Sequence, residues 1–380
     1  FHEAPRALLV LSYTNPFVFY LNEPIPWTQA NMGLATGLFA LSPVDELTLS
    51  LGINRFQTSQ TLLMGADQTA INPQAAGTSN LLNFTLMEGF THEFTPSWRL
   101  LQTLGAAYTH PIDTPTQPSL FTSNATLGPE VTLDHHALGL FAVGMYTRPF
   151  VIGTTEAEDE AGYLTQDQAL VGANGRWRWD WTPDWSSELG AGLGALFNFE
   201  GDARLAPIGL AAIRFDRDGY AASLSYTHST TPSFITGQTY ESDTIRLEGG
   251  VPIWAPANLA FMTSTGFSWN RVLDPTLSVS DNVNTFIADA GVGWFPEEYP
   301  QIALRYQRVQ QFGANDDDGI LPNFSRNVVS LTVSYTFPPR DTHVPTGPPR
   351  RVDGSDRDPL VPGTGDEPRQ PATRNAPAAP

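Results

Sequence analysis

Apolar and polar residues take turns along most of the first 337 positions. Leu47, Leu49, Leu51 and Ile53 are interleaved with Thr48, Ser50, Gly52 and Asn54. Ala169, Val171, Ala173, Gly175, Trp177, Trp179 and Trp181 are interleaved with Leu170, Gly172, Asn174, Arg176, Arg178 and Asp180. Leu189, Leu193, Phe197 and Phe199 face off against Glu188, Gly190, Gly192 and Gly194, and Ile245, Leu247, Val251 and Ile253 against Thr244, Arg246 and Glu248. A period of two is the mark of a β-strand with two unlike faces. About sixteen such segments can be marked, beginning near residues 5–14 and ending at 327–337, with 134–146 and 149–155 as separate strands and 111–133 as a connection. Fourteen and eighteen strands fit the same pattern. Glu88 falls on the apolar parity of its strand, which predicts a bulge there.

Punctuation between the strands is asymmetric. Ser42-Pro43-Val44-Asp45, Thr95-Pro96-Ser97-Trp98, Thr182-Pro183-Asp184-Trp185, Asp216-Arg217-Asp218-Gly219, Ala255-Pro256-Ala257-Asn258 and Pro296-Glu297-Glu298-Tyr299 predict tight turns, because proline presets φ and Asp or Asn supplies local hydrogen bonds. The connections between these turns are longer, as at 58–80, 230–243, 271–283 and 312–325. A soluble sandwich would carry its charge on the outward face. Here the polar face is mostly Gly, Ser, Thr and Asn with a few Arg and acids, which suits a hydrated interior better than bulk surface. Six of the nine tryptophans, Trp98, Trp179, Trp181, Trp185, Trp254 and Trp294, lie in or near a short turn. Indole prefers the headgroup zone of a bilayer, so they predict an aromatic girdle.

The last alternating segment is Arg326–Phe337, RNVVSLTVSYTF, with Val329, Leu331, Val333, Tyr335 and Phe337 on one face and Ser330, Thr332, Ser334 and Thr336 on the other. A terminal aromatic preceded by apolar residues at every second position resembles the C-terminal strand signature of bacterial outer-membrane β-barrels. The resemblance implies an all-β fold: a closed antiparallel transmembrane barrel in the bacterial outer membrane. Its short turns and both termini would be periplasmic and its long loops outward, in contact with outer-membrane lipid and lipopolysaccharide. Composition agrees. Charged residues are 16% of the chain, against roughly 25% in soluble domains, and no apolar run reaches the ~18 residues of a spanning helix. Phe1 in place of Met is what a removed export signal, or a trimmed sequence, would leave.

Beyond Phe337 the pattern stops. Residues 338–380 hold eleven prolines and no Phe, Trp or Tyr, so a second region is expected, a disordered Pro-rich periplasmic tail after a barrel of residues 1–337. Such a tail is either an inert extension or a tether to a periplasmic or cell-wall partner, with Arg350 and Arg351 as contacts. All twenty basic residues are arginine, and the net charge is −19. In the tail Arg and acids balance, so the whole excess belongs to the barrel, which argues against a nucleic-acid partner.

Candidate chemistry is confined to the interior. Arg176, Arg178, Asp180, Glu188, Arg246, Glu248, Asp289 and Arg305 fall on the inward parity and are the expected pore-lining charges. Facing arrays of opposite charge either set up a field across an open pore or pair between strands and fill it. The acidic stretches Glu156–Glu160 and Asn315–Gly319 lack EF-hand spacing and read as solvated loops. There is no cysteine, no phosphate-binding loop and no lipase motif. His228-Ser229 and His135-His136 are the remaining candidates for hydrolytic chemistry, and neighbours in a strand point to opposite faces. The expectation is therefore a non-enzymatic chain without cofactor or metal. It would be a pore for hydrophilic material, either small solutes or an exported polymer such as polysaccharide. The alternative is a structural or adhesion barrel that anchors an envelope complex.

Overall fold

The computed structural model describes residues 7–21, 27–57, 80–112, 119–150, 167–198, 203–232, 239–272, 283–296, 300–313 and 324–337. The chain starts with β1 (Ala7–Tyr20), β2 (Trp27–Gln29), β3 (Asn31–Ala40), β4 (Asp45–Gln57), β5 (Asn80–Thr95) and β6 (Trp98–Pro111). It continues through β7 (Ser119–Leu133), β8 (His136–Phe150), β9 (Gln168–Thr182), β10 (Trp185–Asn198), β11 (Ala203–Arg217) and β12 (Tyr220–Pro232). The last strands are β13 (Thr239–Trp254), β14 (Leu259–Val272), β15 (Val283–Trp294), β16 (Gln301–Gly313) and β17 (Phe324–Phe337). From β3 onward each strand pairs antiparallel with the next. β17 returns to β1, with Leu11 opposite Phe337 and Tyr20 opposite Val328, and this closes a barrel.

β2 and β3 lie on β1 in one unbroken register, Phe17 opposite Gln29 and Thr14 opposite Met32, so they are one stave and the barrel has sixteen. The interruption falls at Ala30. Its N–H donates to the Pro16 carbonyl at 3.1 Å, but proline has no N–H to return.

Passing from partner to partner around the barrel from Tyr13 brings the path back onto β1 about twenty residues further up, which is the shear of the sheet. With ~3.3 Å per residue and ~4.8 Å between strands, that shear gives a strand tilt of about 40° and a backbone radius of about 16 Å.

Turn chemistry keeps one end tight. Thr95 Oγ1 accepts from the N–H groups of Ser97 (3.3 Å) and Trp98 (3.1 Å), and Thr182 Oγ1 does the same for Asp184 (3.2 Å) and Trp185 (3.1 Å). The two Thr-Pro-x-Trp sequences thus make one turn twice. Asp218 and Gly219 both have positive φ, 50° and 85°, as a two-residue hairpin turn requires. The described turns at 41–44, 96–97, 134–135, 183–184, 218–219 and 255–258 all lie at this short-turn end.

Burial is inverted relative to a soluble protein. Leu205, Leu140 and Val171 are 72%, 62% and 60% exposed on the outside, while Glu130 and Glu188 are 1% and 5% exposed on the inside. Only a hydrocarbon solvent makes that arrangement favourable. Trp177, Trp179 and Trp181 stack outward in a column, with ring centroids 6.1 and 4.9 Å apart. With Trp98, Trp185, Trp254 and Trp294 they form a girdle at the short-turn end.

Three sequence expectations change. Ser119–Leu133, expected as a connection, is strand β7, and His136–Phe150 is one continuous strand rather than two. Gly128-Pro129 suggested a break, but β7 and β8 hold register across it, with Leu127 opposite Ala142 and Glu130 opposite Gly139. The expected bulge at Glu88 is also absent: β5 runs in continuous register past it, opposite Leu49 on β4 and Leu104 on β6. The Pro-rich tail, both acidic stretches and most of the Pro296–Tyr299 turn lie outside the described residues.

Candidate site on the inner wall

All eight charges expected on the inward face are there, and the structure joins them to residues that the pattern did not single out. The centre is Glu130 on β7. It accepts from Arg99 Nε on the facing β6 at 2.9 Å and from Arg176 Nη2 at 2.7 Å. Arg176 belongs to β9, two strands away, and reaches Glu130 across β8 because the residue between them is Gly139. On its other side Arg176 faces Gly190 and approaches Glu188 at 3.8 Å. Glu188 is in turn approached by Arg214 of β11 at 3.7 Å. Glycine on both flanks lets one guanidinium lie flat along the wall and serve two carboxylates.

Phe141 completes this arrangement. Its ring occupies the space that a Cβ at Gly139 would fill. The Arg176 guanidinium lies 5.3 Å from the ring centroid, a cation–π contact. The result is a ribbon of alternating sign, Arg99–Glu130–Arg176–Glu188–Arg214, running round the wall from β6 to β11. Arg178 pairs with Asp180 at 3.0 Å just below it. Such pairs are charge-assisted and geometrically exacting, so they hold the wall stiff.

The remaining expected residues lie further round. Arg246 Nε pairs with Glu248 at 2.6 Å along β13, and Ser223 donates to Glu248 at 3.4 Å. Asp289 accepts from Ser264, and Arg305 Nη2 lies 3.5 Å from Met262 Sδ. The structure does not join these four into the β6–β11 ribbon.

Sequence reasoning missed Arg99, Glu130 and Arg214. Arg99 and Arg214 were available from parity alone, each flanked by outward aromatic or aliphatic residues. Glu130 was hidden by the misassigned connection. The inward face is also less uniformly polar than expected. Toward the long-loop end it carries apolar groups: Val18, Tyr20 and Val328 in one cluster, and Leu170, Leu196 and Ala206 packed with Val143, Met145 and Ile208 in another.

The histidine pairs do not assemble hydrolytic sites. His228 faces outward and hydrogen-bonds Asp243 at 2.8 Å, on the face opposite Ser229. His136 stacks outward on Trp177 and Trp179. A serine–histidine contact that the sequence did not suggest, His110 Nδ1 to Ser119 Oγ at 2.8 Å, is closed to solvent, Ser119 being 1% exposed.

No protein-family model matches the chain, and no curated protein matches it in sequence. Solved structures do match in fold. CdiB from Acinetobacter baumannii superposes with a TM-score of 0.51 at 9% identity, over 86% of this chain and 60% of CdiB. OccAB3 from the same organism gives 0.44 at 13% identity, over 87% of this chain and 99% of its own. OpdQ from Pseudomonas aeruginosa gives 0.44 at 8%, with the same coverages. The chain thus spans less than two thirds of CdiB, and what it shares with CdiB is the closed antiparallel barrel.

Proposed function

We propose that this chain, a sixteen-stave barrel of the bacterial outer-membrane kind, is an outer-membrane channel for hydrophilic material. The observation that carries the reading is the enclosure of buried charge by exposed grease: Glu130 is 1% exposed inside a wall whose outer face carries Leu205 and Leu140 at 72% and 62% exposed. Lipid on the outside and polar contents within satisfy both faces. A backbone radius of about 16 Å leaves room for an aqueous path once side chains are subtracted. Arg176, Arg178, Asp180, Glu188, Arg246, Glu248, Asp289 and Arg305, with Arg99, Glu130 and Arg214, would line that path.

The ribbon's three arginines and two glutamates nearly neutralise each other, so it is suited to polar solutes of little net charge. Sugars fit, either as small solutes or as an exported polymer. Planar-bilayer recording tests the reading. A steady ohmic conductance is expected, with a reversal potential near zero in a steep KCl gradient.

One observation favours a second reading, a closed barrel that anchors an envelope complex. Val18, Leu81, Val309 and Val328 are inward-facing yet 0–1% exposed, so the long-loop end of the interior is well packed. A silent bilayer, together with co-purification of a periplasmic protein, would favour the anchor over the channel. Contact with lipopolysaccharide at the long-loop rim belongs to both readings.

A further inference from the structure

Most staves turn their bulky apolar residues to the lipid and their small or polar ones inward, but β3 reverses this. Its outward positions include Gly33, Ala35 and Gly37, opposite Ile53, Leu51 and Leu49 of β4, while Leu34 and Leu38 point inward opposite Ser12 and Leu8 of β1. A Cβ at Gly52, on the inward face of β4, would lie 3.8 Å from Leu34 Cδ1, which fixes that side chain on the inner wall. β11 is reversed in part, with Ile208 inward and Gly209 outward, but Ile208 packs against the Leu170, Leu196 and Ala206 cluster. Leu38 has no such cover. It is 36% exposed, and the other large apolar side chains exposed to that degree face outward or lie at a turn or strand end. With Leu8 opposite Leu38 and Val10 next inward along β1, the two staves set four apolar side chains on the inner wall, none of them buried.

This ridge lies at the short-turn mouth, beside the end of the last strand. Phe337 is opposite Leu11 of β1, which is opposite Ala35 of β3. Leu38 is therefore about 14 Å from Phe337, at ~4.8 Å between strands and ~3.3 Å per residue. Within residues 338–380 the stretch Val344–Pro349, VPTGPP, is uncharged and half proline. The residues from Pro338 to Val344 can span ~22 Å in polyproline geometry, at ~3.1 Å each, which is more than the distance to be covered.

We propose that Val344–Pro349 docks on the ridge of Leu8, Val10, Leu34 and Leu38, inside the short-turn mouth of the barrel. A proline-rich segment loses little conformational entropy on docking and has fewer N–H groups to satisfy, so its rings can cover leucines that otherwise face water. Its attachment a few residues away, at Phe337, gives it a high effective concentration, and a weak contact suffices to keep the ridge occupied. The docked segment narrows the mouth. That consequence for transport rests on the channel reading, whereas the contact itself does not.

The chain has no cysteine, so a pair of introduced thiols reports on one contact. In the full-length chain Thr346→Cys is combined with Leu38→Cys or, as a control, with Ala303→Cys. Ala303 faces inward on β16 opposite Thr332, about 17 Å from Phe337 by the same spacings, so the tail reaches it as readily. After oxidation, peptide mass analysis should find several-fold more disulfide in the Leu38→Cys pair than in the Ala303→Cys pair. Adding Leu8→Ser and Leu34→Ser to the first pair should lower its yield to that of the control, with heat-modifiable gel mobility showing that the barrel is folded. Equal yields in the two pairs, a yield undiminished by the serines, or preferential pairing of Leu38→Cys with Ala4→Cys, which would give the ridge to residues 1–6, would overturn the proposal. Silence in a planar bilayer counts against the channel alone, because the disulfide is read without it.

Discussion

Two stretches of the inner wall enclose the same space by different means. From β6 to β11 the wall is tied by full charges that reach across one or two strands through glycine gaps. From β17 through β1 and β3 to β4 it presents Thr332, Ser334, Ser12, Thr14, Thr36 and Ser50, with a neutral cross-strand tie from Thr36 Oγ1 to Ser50 Oγ at 3.1 Å, and its buried guanidinium, Arg326, lies nearer the long loops over the Tyr20 ring. A buried charge must find a partner or destabilise the fold by several kcal/mol, whereas a hydroxyl can exchange a protein partner for water with little loss. The charged stretch is therefore specified by its partners, and the hydroxyl stretch is free to meet whatever occupies the interior.

The largest test of that difference is Glu130→Ala. It strands Arg99 and Arg176 in a buried site, and the expected loss is about 3–5 kcal/mol, read from urea unfolding of the barrel in lipid vesicles. Gly139→Ala should follow at about 1–3 kcal/mol, because the added methyl displaces the Phe141 ring from under Arg176. That loss should shrink when Phe141 is also replaced by leucine. Ser50→Ala on the hydroxyl stretch should cost about 1 kcal/mol or less. Equal losses for Glu130→Ala and Ser50→Ala would mean that the two stretches do not differ as described.

Much of this was legible in the order of residues, for a physical reason. A strand between lipid and a polar interior must alternate, so parity alone placed Arg176, Arg178, Asp180, Glu188, Arg246, Glu248, Asp289 and Arg305 on the inner face. Parity failed where a strand tolerates residues that normally end one. In β7 the Gly128-Pro129 pair and a run of Thr, Ser and Asn mimic a loop, and the barrel carries them because both neighbouring strands hold the register. The total of sixteen came out right through two compensating errors, one strand overlooked and another split. The contact from Arg176 to Glu130 lay beyond any local pattern, since it skips a strand and depends on Gly139 being empty. Parity also flagged Glu88, but the bulge inferred from it was the wrong remedy: the backbone stays regular and the carboxylate stays outside.

The broken rung at Pro16 has a bearing on how the cylinder shuts. A proline in a strand forfeits one backbone bond, and the Ala30 N–H that reaches the Pro16 carbonyl shows that the forfeited bond is on the β2–β3 flank. The other flank, where β1 meets β17 more than three hundred residues away in sequence, keeps ten consecutive opposed positions, Leu11 to Tyr20. Hairpin neighbours find each other cheaply, while first and last strands meet only after the longest loop in the molecule has been closed. The defect thus falls where proximity along the chain compensates for it, and the edge that must wait for every other strand is left whole.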